Sequence, residues 1–180
     1  MTVTVEFDER VKSRPEYPPV KLNLKQQQQV FISATGNNAT FRKMFNDCEA
    51  QLGSERVTWL VVHQDLDRVL QETAADLPLA TAVYVAGTEA YMWDVYNTLI
   101  GLDFAPEQIQ MLAPESTARR LFCTHCYTVM EGVTVTPHTC EGCGELLLVR
   151  DHFNRLHGAY VGVSINAEDR SEVPAEEALV

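Results

Sequence analysis

The sequence lacks any long apolar run, and this absence excludes several classes of protein. No stretch approaches the roughly 18 consecutive apolar residues of a membrane-spanning helix, so we expect no membrane partner. The first residues, MTVTVEFDERVKSRP, carry charges throughout and contain no apolar segment, which predicts that there is no secretory signal peptide. We therefore expect a cytoplasmic protein whose thiols stay reduced.

Basic residues are also few. Lysine and arginine number 14 against 25 aspartates and glutamates, which gives a net charge of −11. Binding to a phosphate backbone needs a basic surface, so we expect no nucleic-acid partner, and a zinc-ribbon transcription or RNA factor is disfavoured. With 46% hydrophobic and 22% charged residues, the composition is that of an ordinary globular protein with room for one medium domain and a small appendage.

Cysteine is sparse, with five in 180 residues, yet four of them form two tight pairs. The pairs are Cys123/Cys126 and Cys140/Cys143, with thirteen residues between them. Two Cys-x-x-Cys loops at this spacing allow four thiolates to converge on one tetrahedral ion, which predicts a zinc ribbon over residues 118–163. A segment this small buries too little core to fold alone, and a structural zinc ion contributes on the order of 10 kcal/mol.

Other interpretations of these cysteines remain. Iron in a rubredoxin-like site competes with zinc because thiolates bind both metals. A disulfide framework or a redox dithiol fits less well with two pairs in one closed site and a reducing compartment. His125 and His138 could each replace a cysteine as ligand, although exposed loop positions are the simpler expectation. Cys48 recurs at apolar spacing on a predicted helix, so we expect it in the core.

Strand-like and helix-like segments alternate between residues 29 and 114. Short apolar runs predict strands, and amphipathic runs with polar caps predict the helices between them. The predicted strands cover 30–36, 57–63, 82–87 and 108–114, and the helices begin after Asn37 or Asn38, Asp65 or Asp67, and Thr88. This alternation predicts an α/β fold, a parallel sheet with flanking helices.

The remaining segments receive coarser predictions. Residues 1–28 contain several prolines and predict an irregular lead-in, while residues 164–180 form an acidic tail that we expect to be disordered. Between the cysteine pairs, β-branched alternation predicts a hairpin about Glu131–Gly132, and GELLLVRDHF predicts a further strand. Gly144 suits the tight turn of the second pair.

Two predicted strand-to-helix corners carry glycine, within SATGNN at 33–38 and AGTE at 86–89. Such corners can bind phosphate through backbone N–H groups and the helix dipole. The candidate cofactor-binding residues are Thr35, Gly36, Asn37, Gly87, Thr88 and Glu89. Glycine can also serve the turn alone, and Arg68, which could contact a 2′-phosphate, equally suits a solvated surface.

VYVAGTEAYMWDVYNTLIGLDFAPEQIQMLAP resembles the last βαβ unit of the pyridine-nucleotide lobe of ferredoxin reductases. The family's order of residues is kept by Gly87, Met92, Pro106, Glu107 and Ile109. VFISATGNNATFRKMF resembles the first glycine corner of the same lobe. The sequence departs from the family at Ala34, where the family has glycine, at Ala86, where it has cysteine, and at Thr88, where it has proline. No motif for the family's flavin-binding barrel is present.

A lobe of this kind joined to a four-cysteine ribbon is similar, over residues 30–163, to the small subunits of bacterial dimethylamine monooxygenases. The resemblance implies a hetero-oligomer with a haem oxygenase subunit and a reductase subunit that carries FMN and a 2Fe–2S cluster. Such an assembly oxidises dimethylamine to methylamine and formaldehyde with NADPH and O2.

The resemblance also limits what this chain contributes. It has no motif for haem, flavin or an iron–sulfur cluster, so we predict no catalytic residue and no activity of the isolated chain. Its α/β lobe would place NADPH beside a partner's flavin or serve assembly. The alternative hypothesis is a zinc-ribbon scaffold protein that binds no nucleotide.

Overall fold

A computed structural model describes residues 13–169, 171 and 173–180. The chain divides into two compact units. The α/β unit is Tyr17–Ser116, and the ribbon unit combines residues 13–16 with Thr117–Val180. The sequence predicted narrower limits, residues 29–114 for the α/β domain and 118–163 for the ribbon, and these stay predictions.

A parallel sheet with flanking helices forms the α/β unit. Its strands are β1 (Gln28–Ser33), β2 (Val57–Val61), β3 (Thr81–Ala86) and β4 (Ile109–Met111), and its α-helices are α1 (Ala39–Leu52), α2 (Leu66–Ala74) and α3 (Glu89–Gly101). The strand order is β2-β1-β3-β4, and every neighbouring pair is parallel. The predicted fold class is therefore confirmed.

The two faces of this sheet bury separate cores, because successive side chains of a strand point to opposite sides. On one face, α1 packs an aromatic cluster in which Phe31 meets Phe41 edge to face, with ring centroids 5.2 Å apart. On the other face, α2 and α3 cover Val83 and Val85. Both strands are buried on both sides: β3 is apolar after Thr81, and β1 has the apolar centre Val30–Ile32, which is why the sequence predicted strands at these places.

Polar caps begin two of the helices. The side chain of Asn38 accepts a hydrogen bond from the Phe41 N–H at 2.9 Å, and Thr88 accepts one from the Tyr91 N–H at 3.3 Å. Asp65 precedes α2 in a left-handed conformation and makes no such bond. Part of the predicted lead-in packs on the unit, since Tyr17 and Val20 contact its two cores.

The ribbon unit is built on a second sheet. Its strands are β5 (Arg119–Cys123), β6 (Val129–Val133), β7 (Val135–Thr136), β8 (His138–Thr139), β9 (Leu146–Asn154), β10 (Ala159–Ser164) and β11 (Glu177–Ala178). Five of them form a sheet in the order β6-β5-β10-β9-β8. Only the β5–β10 pair is parallel among these neighbours.

Two predictions about this unit are wrong. Glu131 and Gly132 lie inside β6, so they do not form the predicted hairpin turn. The chain reverses instead at the first cysteine pair, because the turn that gathers the thiols also joins β5 to β6. The end of the acidic tail is ordered: β11 pairs antiparallel with β7, and Leu179 is buried. This pairing satisfies backbone groups that the tail's composition alone would leave in water.

Within the described part of the chain, the α-helices are too short or too polar to span a bilayer.

Candidate metal centre and nucleotide edge

The four paired cysteines converge. Their sulfur atoms all lie within 4.8 Å of one another, with 3.9 Å between Cys123 and Cys143 and 3.6 Å between Cys126 and Cys140. A tetrahedral zinc ion with Zn–S bonds of about 2.3 Å needs sulfur atoms about 3.8 Å apart. The donor set therefore fits a metal ion such as zinc.

Both cysteine pairs adopt the same turn. The Tyr127 N–H donates to the Cys123 carbonyl at 2.9 Å, and the Gly144 N–H donates to the Cys140 carbonyl at 2.9 Å. The residue after each second cysteine is left-handed, with φ of 65° at Tyr127 and 74° at Gly144. The predicted tight turn at Gly144 is thus present, and a tyrosine takes the equivalent position in the first pair.

Two residues that the sequence analysis did not single out pack against the sulfurs. A Cβ at Gly142 would lie 2.1 Å from the Thr128 hydroxyl and 3.3 Å from the sulfur of Cys126, so only glycine fits there. The Thr128 hydroxyl lies 3.2 Å from the same sulfur. The sequence contains a signal for each of them: a glycine lies between Cys140 and Cys143, and a threonine lies two residues after Cys126.

The thiols differ in acidity for identifiable reasons. Hydrogen bonding from the Thr128 hydroxyl and backbone to the Cys126 thiolate lowers the pKa of Cys126 to about 6. The N–H of Glu145 lowers the pKa of Cys143, but desolvation and the neighbouring thiols outweigh it and raise this pKa to about 12. Desolvation also raises the pKa of Cys123. One thiolate thus forms readily, and further negative charges so close together need a cation to stabilise them.

The other sequence candidates lie elsewhere. Among the described residues, the convergent cluster consists of the four cysteines without a histidine. His125 is exposed, and the buried Nε2 of His138 has no hydrogen-bond partner within the described residues. Cys48 is fully buried in the α/β unit, and burial raises the pKa of its thiol, as suits a core residue.

The two glycine corners come together at one edge of the parallel sheet. They follow β1 and β3, which are direct neighbours. The helices that leave these strands lie on opposite faces, α1 on one and α3 on the other. This is the topological switch point at which open α/β sheets bind ligands. We call it the nucleotide edge.

The first corner leaves space for a ligand. A Cβ at Gly36 would meet only the flexible Arg42 side chain, at 3.6 Å. The Arg42 guanidinium donates to the Gly36 carbonyl. Thr35 accepts a 2.7 Å hydrogen bond from Ser33, and the N–H of Asn37 lies 3.5 Å from the Thr35 hydroxyl.

The second corner is tighter and carries acidic groups. Gly87 has φ of 152°, and a Cβ there would lie 2.8 Å from the Tyr91 ring. Glu89, only 8% exposed, accepts a 2.7 Å hydrogen bond from Tyr17. Glu115 accepts from the Asn38 amide at 2.8 Å, and its N–H donates to the Gly87 carbonyl at 3.1 Å. Carboxylates thus lie where a phosphate would bring more negative charge.

Arg68, the sequence candidate for contact with a 2′-phosphate, is already paired with two carboxylates. Its guanidinium lies on the surface of α2 and pairs with Glu72 at 3.1 Å and with Asp65 at 3.5 Å.

Comparisons with known proteins found a matching family model and a similar protein. A family model described as the C-terminal domain of DmmA-like dimethylamine monooxygenase subunits matches residues 120–163. The heme-dependent oxidative N-demethylase delta subunit of Ectopseudomonas mendocina (strain ymp) is 32% identical over 124 residues, which cover 66% of this chain and 71% of that protein. The chain belongs to the DmmA-like subunit family. No solved structure matches it.

The family match coincides with the candidate metal centre. The matched span of this DmmA-like chain contains all four cysteines together with Thr128 and Gly142. The family recognised from the sequence is thus confirmed, and the segment that carries it is the segment in which the sulfurs converge.

Proposed function

We propose that this chain is a subunit of an NADPH-dependent dimethylamine monooxygenase. The assembly would oxidise dimethylamine to methylamine and formaldehyde with NADPH and O2, in the cytoplasm. The observation that carries the proposal is the relative named as a subunit of a heme-dependent oxidative N-demethylase. Haem, FMN and a 2Fe–2S cluster would belong to an oxygenase subunit and a reductase subunit.

The four cysteines are proposed as ligands of a structural zinc ion. Four thiolates fill a tetrahedral site and leave no open position for substrate, so the ion would stabilise the fold and take no part in amine oxidation. Cys123, Cys126, Cys140 and Cys143 would hold it with the spacing already present. Zinc is favoured over iron because the proposed role requires no electron transfer by this site.

The α/β unit is proposed to position NADPH at the nucleotide edge. Its support is the switch point, where a pyrophosphate would approach the backbone at Gly36 and the N-terminus of α1. A lobe that places the nicotinamide beside a partner's flavin contributes by positioning, because the redox chemistry belongs to the cofactors. Thr35, Gly36 and Asn37 would surround the phosphates, and Gly87, Thr88 and Glu89 would line the other corner.

A scaffold role without nucleotide is the second candidate. It is favoured by Glu89 and Glu115, whose carboxylates lie at the second corner and would repel phosphate. In that case the α/β unit would serve assembly alone.

Replacing Gly36 by alanine separates the two candidates. The new methyl group is compatible with the fold, since it meets only the end of Arg42, but it would intrude on a pyrophosphate at the backbone. Gly87→Val is a poorer probe because its side chain would collide with Tyr91 whether or not nucleotide binds. Gly101→Ala is the matched control, since nothing lies within 4 Å of its new Cβ.

NADPH is titrated into the isolated chain and into the co-purified assembly. If the lobe positions nucleotide, Gly36→Ala weakens binding in the assembly by about tenfold, the cost of one poor contact of about 1.4 kcal/mol, and Gly101→Ala leaves it unchanged. If the Gly36→Ala assembly binds NADPH and transfers electrons as well as the unmodified assembly, the α/β unit does not position NADPH at Gly36. That result would favour the scaffold role.

A further inference from the structure

The tail of the chain lies on the ribbon unit as an added strand. β11 pairs antiparallel with β7, with Ala178 opposite Val135. The N–H of Leu179 continues this ladder by donating to the Thr134 carbonyl at 2.8 Å. Extended peptides bind to the edges of sheets in the same way, through hydrogen bonds of their main chain. The tail therefore has the geometry of a bound peptide.

One side chain anchors the tail. Leu179 is 9% exposed, whereas Val173, an aliphatic residue nearer the start of the tail, is 66% exposed and Val180 is 82% exposed. When a peptide adds to a sheet, the pockets that receive its alternate side chains decide which sequence binds. The buried leucine is thus the side chain by which the ribbon unit would recognise this segment.

Two arginines converge on the main-chain oxygen of Val180. Arg119 donates to this oxygen at 2.9 Å, and Arg14 donates to it as well. Arg119 is only 4% exposed, and its guanidinium carbon lies 4.3 Å from the centroid of the Tyr160 ring. A cation buried this deeply needs both hydrogen-bond acceptors and a compensating negative charge. The tail supplies one of the acceptors.

The charges around this oxygen do not balance. Asp151 pairs with Arg119 at 3.0 Å and with Arg14 at 3.7 Å. Within the described part of the chain, this aspartate is the one carboxylate that pairs with either arginine, so it serves two guanidinium groups. One positive charge remains for an anionic group at the position of the Val180 oxygen. The terminal carboxylate of a peptide would carry that charge, and guanidinium groups bind carboxylates strongly.

We propose that the ribbon unit contains a binding groove for extended peptides whose second-last residue is aliphatic and whose last residue carries a free carboxylate. We define the tail groove as β7, Thr134, Arg14 and Arg119. Its occupant is residues 177–180 of the same chain, because this segment is seated there and provides the strand, the aliphatic anchor and the oxygen. While bound, the tail covers main-chain groups of β7 that would otherwise be open to pairing with another chain. The inference does not depend on the proposed function.

The test removes the tail and supplies it as a separate peptide. A chain that lacks residues 173–180 is titrated with the labelled peptide VPAEEALV, and binding is followed by fluorescence anisotropy. The truncated chain should bind the peptide, whereas the untruncated chain should not, because its own tail fills the groove. Leu179→Ser in the peptide should weaken binding by about tenfold or more through lost apolar burial. Val173→Ser is the matched control, since this valine is exposed, and it should leave binding unchanged.

A second set of titrations tests the recognition of the carboxylate. A peptide with an amide in place of its terminal carboxylate should bind about tenfold more weakly. Arg14→Gln in the truncated chain should reduce this difference, whereas Lys43→Gln, on the exposed surface of α1, should not. The proposal is overturned if a truncated chain that is folded by circular dichroism binds no peptide. Equal affinity for the Leu179→Ser peptide or for the amidated peptide would overturn it as well.

Hydrogen exchange of the untruncated chain makes the test independent of truncation. Leu179→Ser should release the tail and make exchange faster in β7, while β5 and β10 stay protected by their own pairing. Val173→Ser should leave exchange unchanged. Equal protection of β7 in the Leu179→Ser and unmodified chains would contradict the proposal. So would a dimer whose formation requires Leu179, because the tail of a second copy would then be the occupant.

Discussion

At the scale of single residues, the candidate metal centre depends on neighbours that cysteine spacing does not reveal. Gly142 leaves the space that the Thr128 hydroxyl occupies, and that hydroxyl lies against the sulfur of Cys126. Spacing predicts which thiols meet, because a short loop returns both to one point. It does not predict which side chains fill the gaps around them, because those belong to the opposite pair.

Gly142→Ala should therefore cost the protein its metal. The added methyl group would lie 2.1 Å from the Thr128 oxygen and would push the first pair away from the second. Metal content after purification, measured by elemental analysis, should fall well below one ion per chain. Gly144→Ala is the control: its Cβ meets nothing within 4 Å, so it costs only about 1 kcal/mol of left-handed strain and should keep the metal. Full metal content in Gly142→Ala would contradict this account.

Thr128→Val should shift the pH at which metal is lost. The Thr128 hydroxyl holds the pKa of Cys126 near 6, below the ordinary value of a thiol. A lowered pKa favours the thiolate, so its contribution is present above the ordinary pKa of the thiol and is lost as pH falls through about 6. Without the hydroxyl, protons compete at higher pH, and half-release of metal in an acid titration should move upward. Thr134→Val, at an exposed site, should leave the midpoint unchanged.

At the scale of helices and strands, the sequence predicted correctly those elements whose local residue pattern agrees with their surroundings in the fold. The strands β1 and β3 are apolar runs closed by polar or glycine corners, and Asn38 and Thr88 cap the helices that follow. The hairpin about Glu131–Gly132 was predicted wrongly because β-branched alternation shows where strands lie, while the cysteine turn decides where the chain reverses. The order of the tail depends on its pairing with β7, a long-range contact that composition cannot show.

The two units should respond separately to loss of a cysteine. Cys123→Ser removes a metal ligand, so hydrogen exchange should become fast in β5 and β6 while β1 and β3 stay protected by their own cores. Cys48→Ser is the matched change in the other unit. It places a hydroxyl in the buried core of α1 and should cost about 1–3 kcal/mol there without loss of metal. Loss of protection in both units from Cys123→Ser would show that they do not fold separately.

At the scale of the whole molecule, we propose that this chain has a supporting role in an oxidative enzyme. Its parts suit binding and placement: a cluster of four convergent cysteines and a sheet edge with two glycine corners. Its net charge of −11 predicts that nucleic acid is not a partner, and this stays a prediction. Charge and composition could not place the two glycine corners beside each other, because they become neighbours only when β1 and β3 pair.

An omission experiment tests most directly whether amine oxidation requires this chain. The haem oxygenase and flavin/iron–sulfur subunits are purified with and without this chain, and NADPH oxidation and formaldehyde release are measured with dimethylamine as substrate. We predict that both rates fall to the substrate-free background without this chain and return when metal-loaded protein is added back. Full dimethylamine-dependent activity in its absence would contradict it.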